Sequence, residues 1–214
     1  MGLNLDSGEF KVFMRTVAVN AKKMMDSLIN TYNNVLNLNP GDAKKVYMDV
    51  GDNLREKGNY EGALKAYKKA LDVDPVDVKA LQEIGRTYLK AGLPNEAIES
   101  LLRATNLDRG NGQAYYHLGS AYFMTDDNAK ALWALKEAIK LDTVFDDAHY
   151  KLGLVYDNMA DYDNAIECYK KTISINPNYI KAYQSIGLAY EGKGQREEAV
   201  KYFKKALEKE QKSV

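Results

Sequence analysis

Side chains that could carry out covalent chemistry are few in this sequence. The chain of 214 residues has one cysteine, Cys168, and two histidines, His117 and His149. A single cysteine supplies neither an intramolecular disulfide nor a zinc site of the usual kind. The sequence also has no glycine-rich phosphate loop and no nucleophile elbow. We therefore expect no enzymatic activity, no metal and no cofactor.

The charge balance excludes other classes of function. Lysine and arginine total 30, and aspartate and glutamate also total 30, so the formal net charge is zero. A neutral chain has no general attraction to nucleic acid or to anionic lipid. Residues 1–10 lack a cationic start, and no apolar run approaches the ~18 residues of a membrane span. We expect a cytoplasmic protein whose membrane contact, if it has any, is peripheral and mediated by proteins.

An internal repeat of 34 residues decides the fold. Five glycines recur at this spacing, and an alanine follows each of them after twelve positions. Leu or Tyr stands three positions after each glycine, and Tyr, Leu or Phe stands four positions after each alanine. The copies are 44–77, 78–111, 112–145, 146–179 and 180–213, with glycines Gly51, Gly85, Gly119, Gly153 and Gly187 and alanines Ala63, Ala97, Ala131, Ala165 and Ala199.

This spacing is typical of the tetratricopeptide repeat (TPR), a helix–turn–helix unit. Each copy should form two antiparallel helices, A and B, with the glycine and the alanine where the two helices cross. One helix pair cannot bury its apolar face alone, so the copies should stack. We predict an all-α TPR solenoid, a right-handed superhelix with A helices on its concave side and B helices on its convex side.

The concave groove is the first candidate binding surface. In TPR proteins, positions 2, 5, 9 and 12 of helix A face this groove. Their side chains run from basic through aromatic to acidic and apolar along this chain. A solvated face is one interpretation, but large apolar groups on an open face favour a protein ligand. The candidate residues are Arg55, Lys79, Gln82, Arg86, Tyr116, Phe123, Tyr150, Asp157 and Gln184.

The convex face has two exceptions to its charged pattern. Repeat position 22 is charged in four copies but is Trp133 in the third, and position 25 is lysine in four copies but is Leu102 in the second. Either these residues form a second protein-binding surface, or Trp133 lies flat over neighbouring side chains.

Residues 1–43 precede the repeats and resemble a degraded copy. Apolar residues at steps of three and four predict an amphipathic helix. This segment either caps the first repeat or docks into the groove of a second molecule. For the second case we assign self-assembly to Phe10, Phe13, Val17 and Met24.

A possible hinge divides the five copies. The joint between the second and third copies, residues 109–112, has two glycines and no closing proline, which lowers the cost of changing its backbone angles. We therefore expect residues 44–111 to move as a unit against residues 112–214.

The sequence also resembles a particular family, the magnetosome-associated TPR proteins of magnetotactic bacteria. The resemblance covers nearly the whole chain and is closest in residues 93–101 (LPNEAIESL) and from Lys181 to Glu210, which begins KAYQSIGLAYEGKG. It implies a peripheral protein on the cytoplasmic face of the magnetosome membrane, which assembles with itself and recruits other magnetosome proteins. In this family the N-terminal motif is proposed to dock into a neighbour's groove. A monomeric TPR adaptor for one client peptide is the alternative, and the regulatory subunit of an enzyme is a third.

Overall fold

The computed structural model describes residues 39–211, together with residues 19, 20, 23, 26 and 27. Residues 39–211 form ten α-helices and no strand, which confirms the all-α prediction. The helices are α1 (Pro40–Glu56) and α2 (Tyr60–Val73), α3 (Val78–Lys90) and α4 (Pro94–Leu107), α5 (Gly112–Met124) and α6 (Asn128–Leu141), α7 (Asp146–Asn158) and α8 (Tyr162–Ile175), and α9 (Ile180–Gly192) and α10 (Arg196–Gln211). Odd numbers are A helices and even numbers are B helices.

Short polar side chains start most of these helices. Asn39 Oδ1 accepts a hydrogen bond from the Asp42 backbone N–H at 3.0 Å, and Asp77 Oδ1 accepts one from Ala80 at 2.8 Å. Asn or Asp caps α2, α5, α6 and α8 in the same way. A cap satisfies a backbone N–H that has no partner within the helix. The two exceptions among the later A helices, α7 and α9, begin after an aromatic residue and are discussed below.

The two helices of each copy approach closely over the repeated glycine. A Cβ added at Gly51 would lie 2.4 Å from Cε1 of Tyr67, and one at Gly119 would lie 2.6 Å from Cγ of Leu135. The other three repeat glycines meet Leu101, Tyr169 and Phe203 with clashes of the same size. These contacts confirm the role predicted for the glycines, since any side chain there would separate the helices.

The copies stack through their B helices. Each of the first four B helices packs against the A helix of its own copy and against the A helix of the next one, and α3, α5 and α7 also contact in sequence. One buried cluster includes Leu101, Leu118, Leu135 and Leu152, which come from three consecutive copies. The core is therefore a column that runs through the repeats, and the chain is a TPR solenoid as predicted.

The predicted hinge at residues 109–112 lies beside this column. Asn111 Nδ2 donates to Gln82 Oε1 at 2.9 Å, and a Cβ at Gly112 would lie 3.4 Å from Cβ of Leu141. Gly110 and Gly112 are not among the residues with positive φ. Movement between residues 44–111 and 112–214 stays a prediction. Asn111 Oδ1 accepts a hydrogen bond from the Ala114 backbone N–H at 2.9 Å, and this contact crosses the predicted hinge.

The turn between helices A and B uses left-handed backbone at repeat position 15 in all five copies. Three copies have glycine there, with φ of 74° or 75°. The third and fourth copies have Asp126 and Ala160, each with φ of 58°. Left-handed backbone costs an L-residue roughly 1–2 kcal/mol because Cβ crowds the following carbonyl oxygen. Ala160 has no polar side chain that could offset this strain.

We expect Gly119→Leu to be among the most destabilising single changes. Overpacking at a helix crossing costs about 1–3 kcal/mol or more, which should lower the melting temperature by roughly 2–12 °C in a chain of this size. Circular dichroism on heating measures this. Ala129→Leu is the matched control because Ala129 is exposed on α6. A melting temperature of Gly119→Leu equal to that of the control would show that the repeat register is wrong.

Ala160→Gly should stabilise the chain by about 0.5–1 kcal/mol, since glycine adopts positive φ without a Cβ penalty. Gly58→Ala is the reverse test: nothing lies within 4 Å of the added Cβ, so only backbone strain should destabilise it. Urea unfolding of the three proteins measures both effects. Stabilisation by the alanine at position 58 would contradict the assignment of strain to this turn.

Candidate protein-binding groove

The predicted groove residues lie on the A helices, and most remain accessible. Lys79 is exposed, and the Arg86 side chain is 40% exposed. The remaining residues are half-buried, with the exception of Arg55, which is buried. The half-buried set is Gln82, Tyr116, Phe123, Tyr150, Asp157 and Gln184.

Arg55 joins two copies and is not available to a ligand. Its Nη1 donates to the Tyr67 hydroxyl at 2.9 Å and to the Glu83 carboxylate, and its Nη2 donates to Asp52 Oδ1 at 2.8 Å. The Tyr67 hydroxyl in turn donates to Asp52 Oδ1 at 2.8 Å. Arg55 and Glu83 are each only 7% exposed. Removing one member of a buried, hydrogen-bonded pair leaves an uncompensated charge, so this network holds the first two copies together.

Position 6 of helix A also faces this network. It was not among the groove positions predicted from the sequence. Glu83 occupies it in the second copy and His117 in the third. Burial, and then the positive charges of Arg86 and Arg55, lower the pKa of His117 to about 4. His117 is therefore neutral at pH 7 and makes no salt bridge there. Position 6 is polar in every copy, which was the sequence signal that could have identified it: Asp49, Glu83, His117, Lys151 and Ser185.

Aromatic pairs line the middle of the groove. Tyr116 packs on Phe145 with ring centroids 4.9 Å apart, and Tyr150 packs on Tyr179 at the same distance. The Tyr179 hydroxyl donates to Asp147 Oδ1 at 2.8 Å. These rings form a partly exposed surface on which the side chains of a bound protein segment can pack.

Phe145 and Tyr179 occupy the positions from which Asn111 and Asp77 cap earlier helices. Neither aromatic residue makes a side-chain cap, so α7 and α9 begin without that hydrogen bond. In the second copy the same two repeat positions hold the polar pair Gln82 and Asn111. A cap contributes about 1 kcal/mol. The later copies therefore have aromatic groove surface where the earlier ones have helix caps.

The fifth copy leaves apolar surface in the groove. Leu188 on α9 is 56% exposed, and Gln184 one turn earlier donates to Glu210 at 3.0 Å. Lys151 on α7 extends toward the third copy, where its Nζ lies 5.7 Å from the centre of the Phe123 ring.

The two candidate residues on the convex face, Trp133 and Leu102, differ in solvent exposure. Trp133 is 48% exposed, and its ring meets Tyr115 edge to face at 5.8 Å between centroids. Leu102 is half-buried and packs against the core cluster of the second to fourth copies. Trp133 therefore packs locally and still offers free surface. Its role in binding a partner stays a prediction.

The proposed self-assembly residues Phe10, Phe13, Val17 and Met24 lie outside the described residues. The predicted boundary of the N-terminal segment at residue 43 falls inside α1, which begins at Pro40.

Of the three residues with reactive side chains, His149 and Cys168 line the same pocket, together with Lys136, Thr143 and Glu167. His149 is buried, and its Nε2–H donates to the Thr143 carbonyl oxygen at 3.3 Å. Burial, followed by the charge of Glu167, raises the pKa of Cys168 to about 12, so thiolate is scarce near neutral pH. His117 lies in the groove. Over residues 39–211 no three His, Cys, Asp or Glu side chains are grouped so that they could hold a metal ion.

None of the described helices is both long enough and apolar enough to cross a bilayer.

Comparisons with known proteins define the class first. Models of the tetratricopeptide repeat match residues 82–144, 146–179 and 180–210, and a model described as TPR repeat matches residues 51–92. The chain is therefore a TPR protein, a class that acts by binding other proteins. No curated protein matches it.

Solved structures then give the family. One similar solved structure is described as the crystal structure of MamA protein. Its sequence is 60% identical to this chain, its TM-score is 0.72, and the match covers 80% of this chain and 94% of that one. This chain belongs to the MamA family. MamA from Desulfovibrio magneticus RS-1 is 24% identical with a TM-score of 0.73, over 79% of this chain and 96% of that one, and shows the shared fold. YrrB, a TPR protein with an unusual peptide-binding site, is 25% identical with a TM-score of 0.64, over 76% and 84%.

His117 should make stability depend on pH. Its pKa is about 6.5 when unfolded and about 4 when folded, so the unfolded chain binds more protons between these values and stability falls as pH drops through this window. At pH 5 the loss attributable to His117 is up to about 2 kcal/mol relative to pH 7. His117→Asn should remove that part of the loss. Urea unfolding of both proteins at the two pH values measures it, and equal losses would contradict the assignment.

Proposed function

We propose that this chain is a scaffold that assembles with other molecules of itself on the cytoplasmic face of the magnetosome membrane. In this proposal it holds other magnetosome proteins in its concave groove. The observation that carries it is the pair of partly exposed aromatic contacts along the groove side of the third and fourth copies. The 60% identity to a MamA protein supports the magnetosome setting.

The groove has the side chains of a protein-binding surface. Tyrosine and arginine are enriched among the residues that dominate binding energy at protein interfaces. Here Tyr116 and Tyr150 stand in the middle of the groove, and Arg86 remains 40% exposed at its basic end. The peptide-binding site of the TPR protein YrrB supports a peptide segment as the ligand.

The sequence of residues 1–43 supports self-assembly. Burying a large apolar side chain contributes roughly 1.5–3 kcal/mol, so Phe10, Phe13, Val17 and Met24 together supply ~6–12 kcal/mol before costs. Association itself costs an estimated ~4–15 kcal/mol, so one docked segment is marginal. Several contacts on one surface act at high effective concentration, which suits assembly on a membrane. A segment-into-groove contact is heterologous and can extend beyond a dimer.

A monomeric adaptor is the second candidate, because one chain supplies the whole groove. Each aromatic pair lies within one copy of the same molecule, next to its junction with the following copy. A client peptide could therefore bind without a second molecule.

Deleting residues 1–38 should convert the assembly to a monomer. This cut keeps Asn39 and Pro40, which start α1, and leaves all five copies. Size-exclusion chromatography with light scattering measures the mass of both proteins. Unchanged mass after the deletion would exclude the segment as the driver and would direct attention to Trp133 and Leu102.

A variant of the groove tests the other half of the same contact. Phe145→Asn with Tyr179→Asn removes two groove aromatics and restores the helix caps that Asn supplies elsewhere, so stability should be kept. This full-length variant should also be monomeric. Mixed with the deletion protein it should give a heterodimer that cannot extend, since one molecule supplies the segment and the other the groove. If the full chain itself is a monomer and only client peptides bind, the adaptor candidate holds.

A further inference from the structure

The first and fourth copies use the same buried tyrosine in two different settings. Tyr67 and Tyr169 both occupy repeat position 24, and both are fully buried. The Tyr67 hydroxyl accepts a hydrogen bond from Arg55 and donates one to Asp52. The Tyr169 hydroxyl has no hydrogen-bond partner, and among the described residues it is the one buried side-chain polar atom in this state. A buried hydroxyl without a partner is costly, so its persistence calls for an explanation.

The side chains around the two tyrosines differ in one systematic way. At the joint between the first and second copies, Arg55 at position 12 lies between Asp52 and Glu83. At the joint between the fourth and fifth copies, position 12 is Asp157. Leu154 and Ser185 stand where Asp52 and Glu83 stand in the earlier joint. The joint between the fourth and fifth copies thus has the Asp157 carboxylate at the position where the first joint has the Arg55 guanidinium.

Asp157 has no cation of its own. None of the ion pairs of residues 39–211 includes it. It is half-buried, and burial raises its pKa. Its charge is also close enough to Tyr169 to raise the pKa of that hydroxyl, after the larger effect of burial, whereas the neighbouring Ser185 hydroxyl lowers that pKa. An unpaired carboxylate thus lies beside the unpartnered hydroxyl.

The walls of this joint suit a flat cation. Tyr150 packs on Tyr169 with centroids 5.5 Å apart, and its hydroxyl lies 3.3 Å from Ser185 Oγ. Leu188, one turn beyond Ser185, is 56% exposed. A guanidinium stacks on aromatic faces and donates in a planar fork to a carboxylate, whereas an ammonium does neither as well.

We infer that the joint between the fourth and fifth copies, formed by Asp157, Tyr169 and Ser185, binds an arginine side chain of the protein that occupies the groove. The inference rests on the proposed function, since it assumes a protein segment in the groove. The incoming guanidinium donates two N–H groups to the Asp157 carboxylate and a third to Ser185 Oγ. The Tyr169 hydroxyl then donates to Asp157, as Tyr67 donates to Asp52. An apolar residue beside the arginine covers Leu188.

A pair of short peptides tests this. The probe is dye-labelled acetyl-Leu-Arg-Leu-amide, and its control is the same peptide with citrulline, which keeps the shape of arginine but has no charge. Fluorescence anisotropy with the full chain should give a dissociation constant about tenfold lower for the arginine peptide, because charge-assisted bidentate hydrogen bonds are about twice as strong as neutral ones. Equal dissociation constants, or no binding of either peptide, would overturn the inference.

Asp157→Asn tests whether the preference for the arginine peptide depends on the Asp157 carboxylate. It should bring the two peptides to within about twofold of each other, while Glu167→Gln, an exposed acid of the same copy on helix α8, should keep the preference. Retention of the arginine preference in Asp157→Asn would also overturn the inference. Because Asp157 lacks a cation, its replacement should leave the melting temperature unchanged, so lost binding cannot be attributed to unfolding.

The two proposals can fail separately. If assembly still depends on Phe145 and Tyr179 but the arginine and citrulline peptides bind equally, the groove function stands and the arginine site falls. If the arginine preference is present but assembly is unaffected by both the deletion and the groove variant, the site stands and self-assembly through the groove falls.

Discussion

The contact between a bare glycine on helix A and a bulky side chain on helix B sets the geometry of the whole molecule. In each copy the ring or the leucine of helix B occupies the volume that a Cβ on the glycine would need. Because this contact recurs every 34 residues, the two helices of every copy approach each other at the same two repeat positions. Identical units stack regularly, and the A helices then present the same repeat positions along the groove. The spacing of the groove side chains is thus a consequence of five close helix contacts.

Within this regular frame, a few repeat positions change character along the chain. In the second copy, positions 5 and 34 hold the polar pair Gln82 and Asn111. In the third and fourth copies, the same positions hold the aromatic pairs Tyr116–Phe145 and Tyr150–Tyr179. The aromatic pairs take the place of side-chain helix caps and leave ring surface partly exposed in the groove. Local loss of stability at a surface of this kind is expected where binding is the function.

The sequence was sufficient for the fold because the determining contacts repeat at a fixed period. The copies, the helix pairs and the role of the glycines all follow from that period, and the structure confirms them. Arg55 was assigned to the groove because position 12 faces it, yet the structure buries it. Its burial depends on Glu83, which belongs to the next copy and meets Arg55 only after α1 and α3 are placed side by side. The left-handed backbone of Ala160 was equally hidden, because alanine carries no sequence signal for positive φ.

The two ends of the groove differ in whether their charges are already paired, and this gives the molecule a direction. At the first joint, Arg55 pairs with Asp52 and with the buried Glu83 inside the chain. At the last joint, Asp157 and the Tyr169 hydroxyl have no such partner. A buried polar group gains more from a new hydrogen bond than one that must first give up an existing partner. Under the proposed function, a bound segment would gain most at the fourth and fifth copies, next to the aromatic pairs of the third and fourth copies. In the proposed assembly, a groove with one satisfied end and one unsatisfied end would give the docked segment a defined orientation.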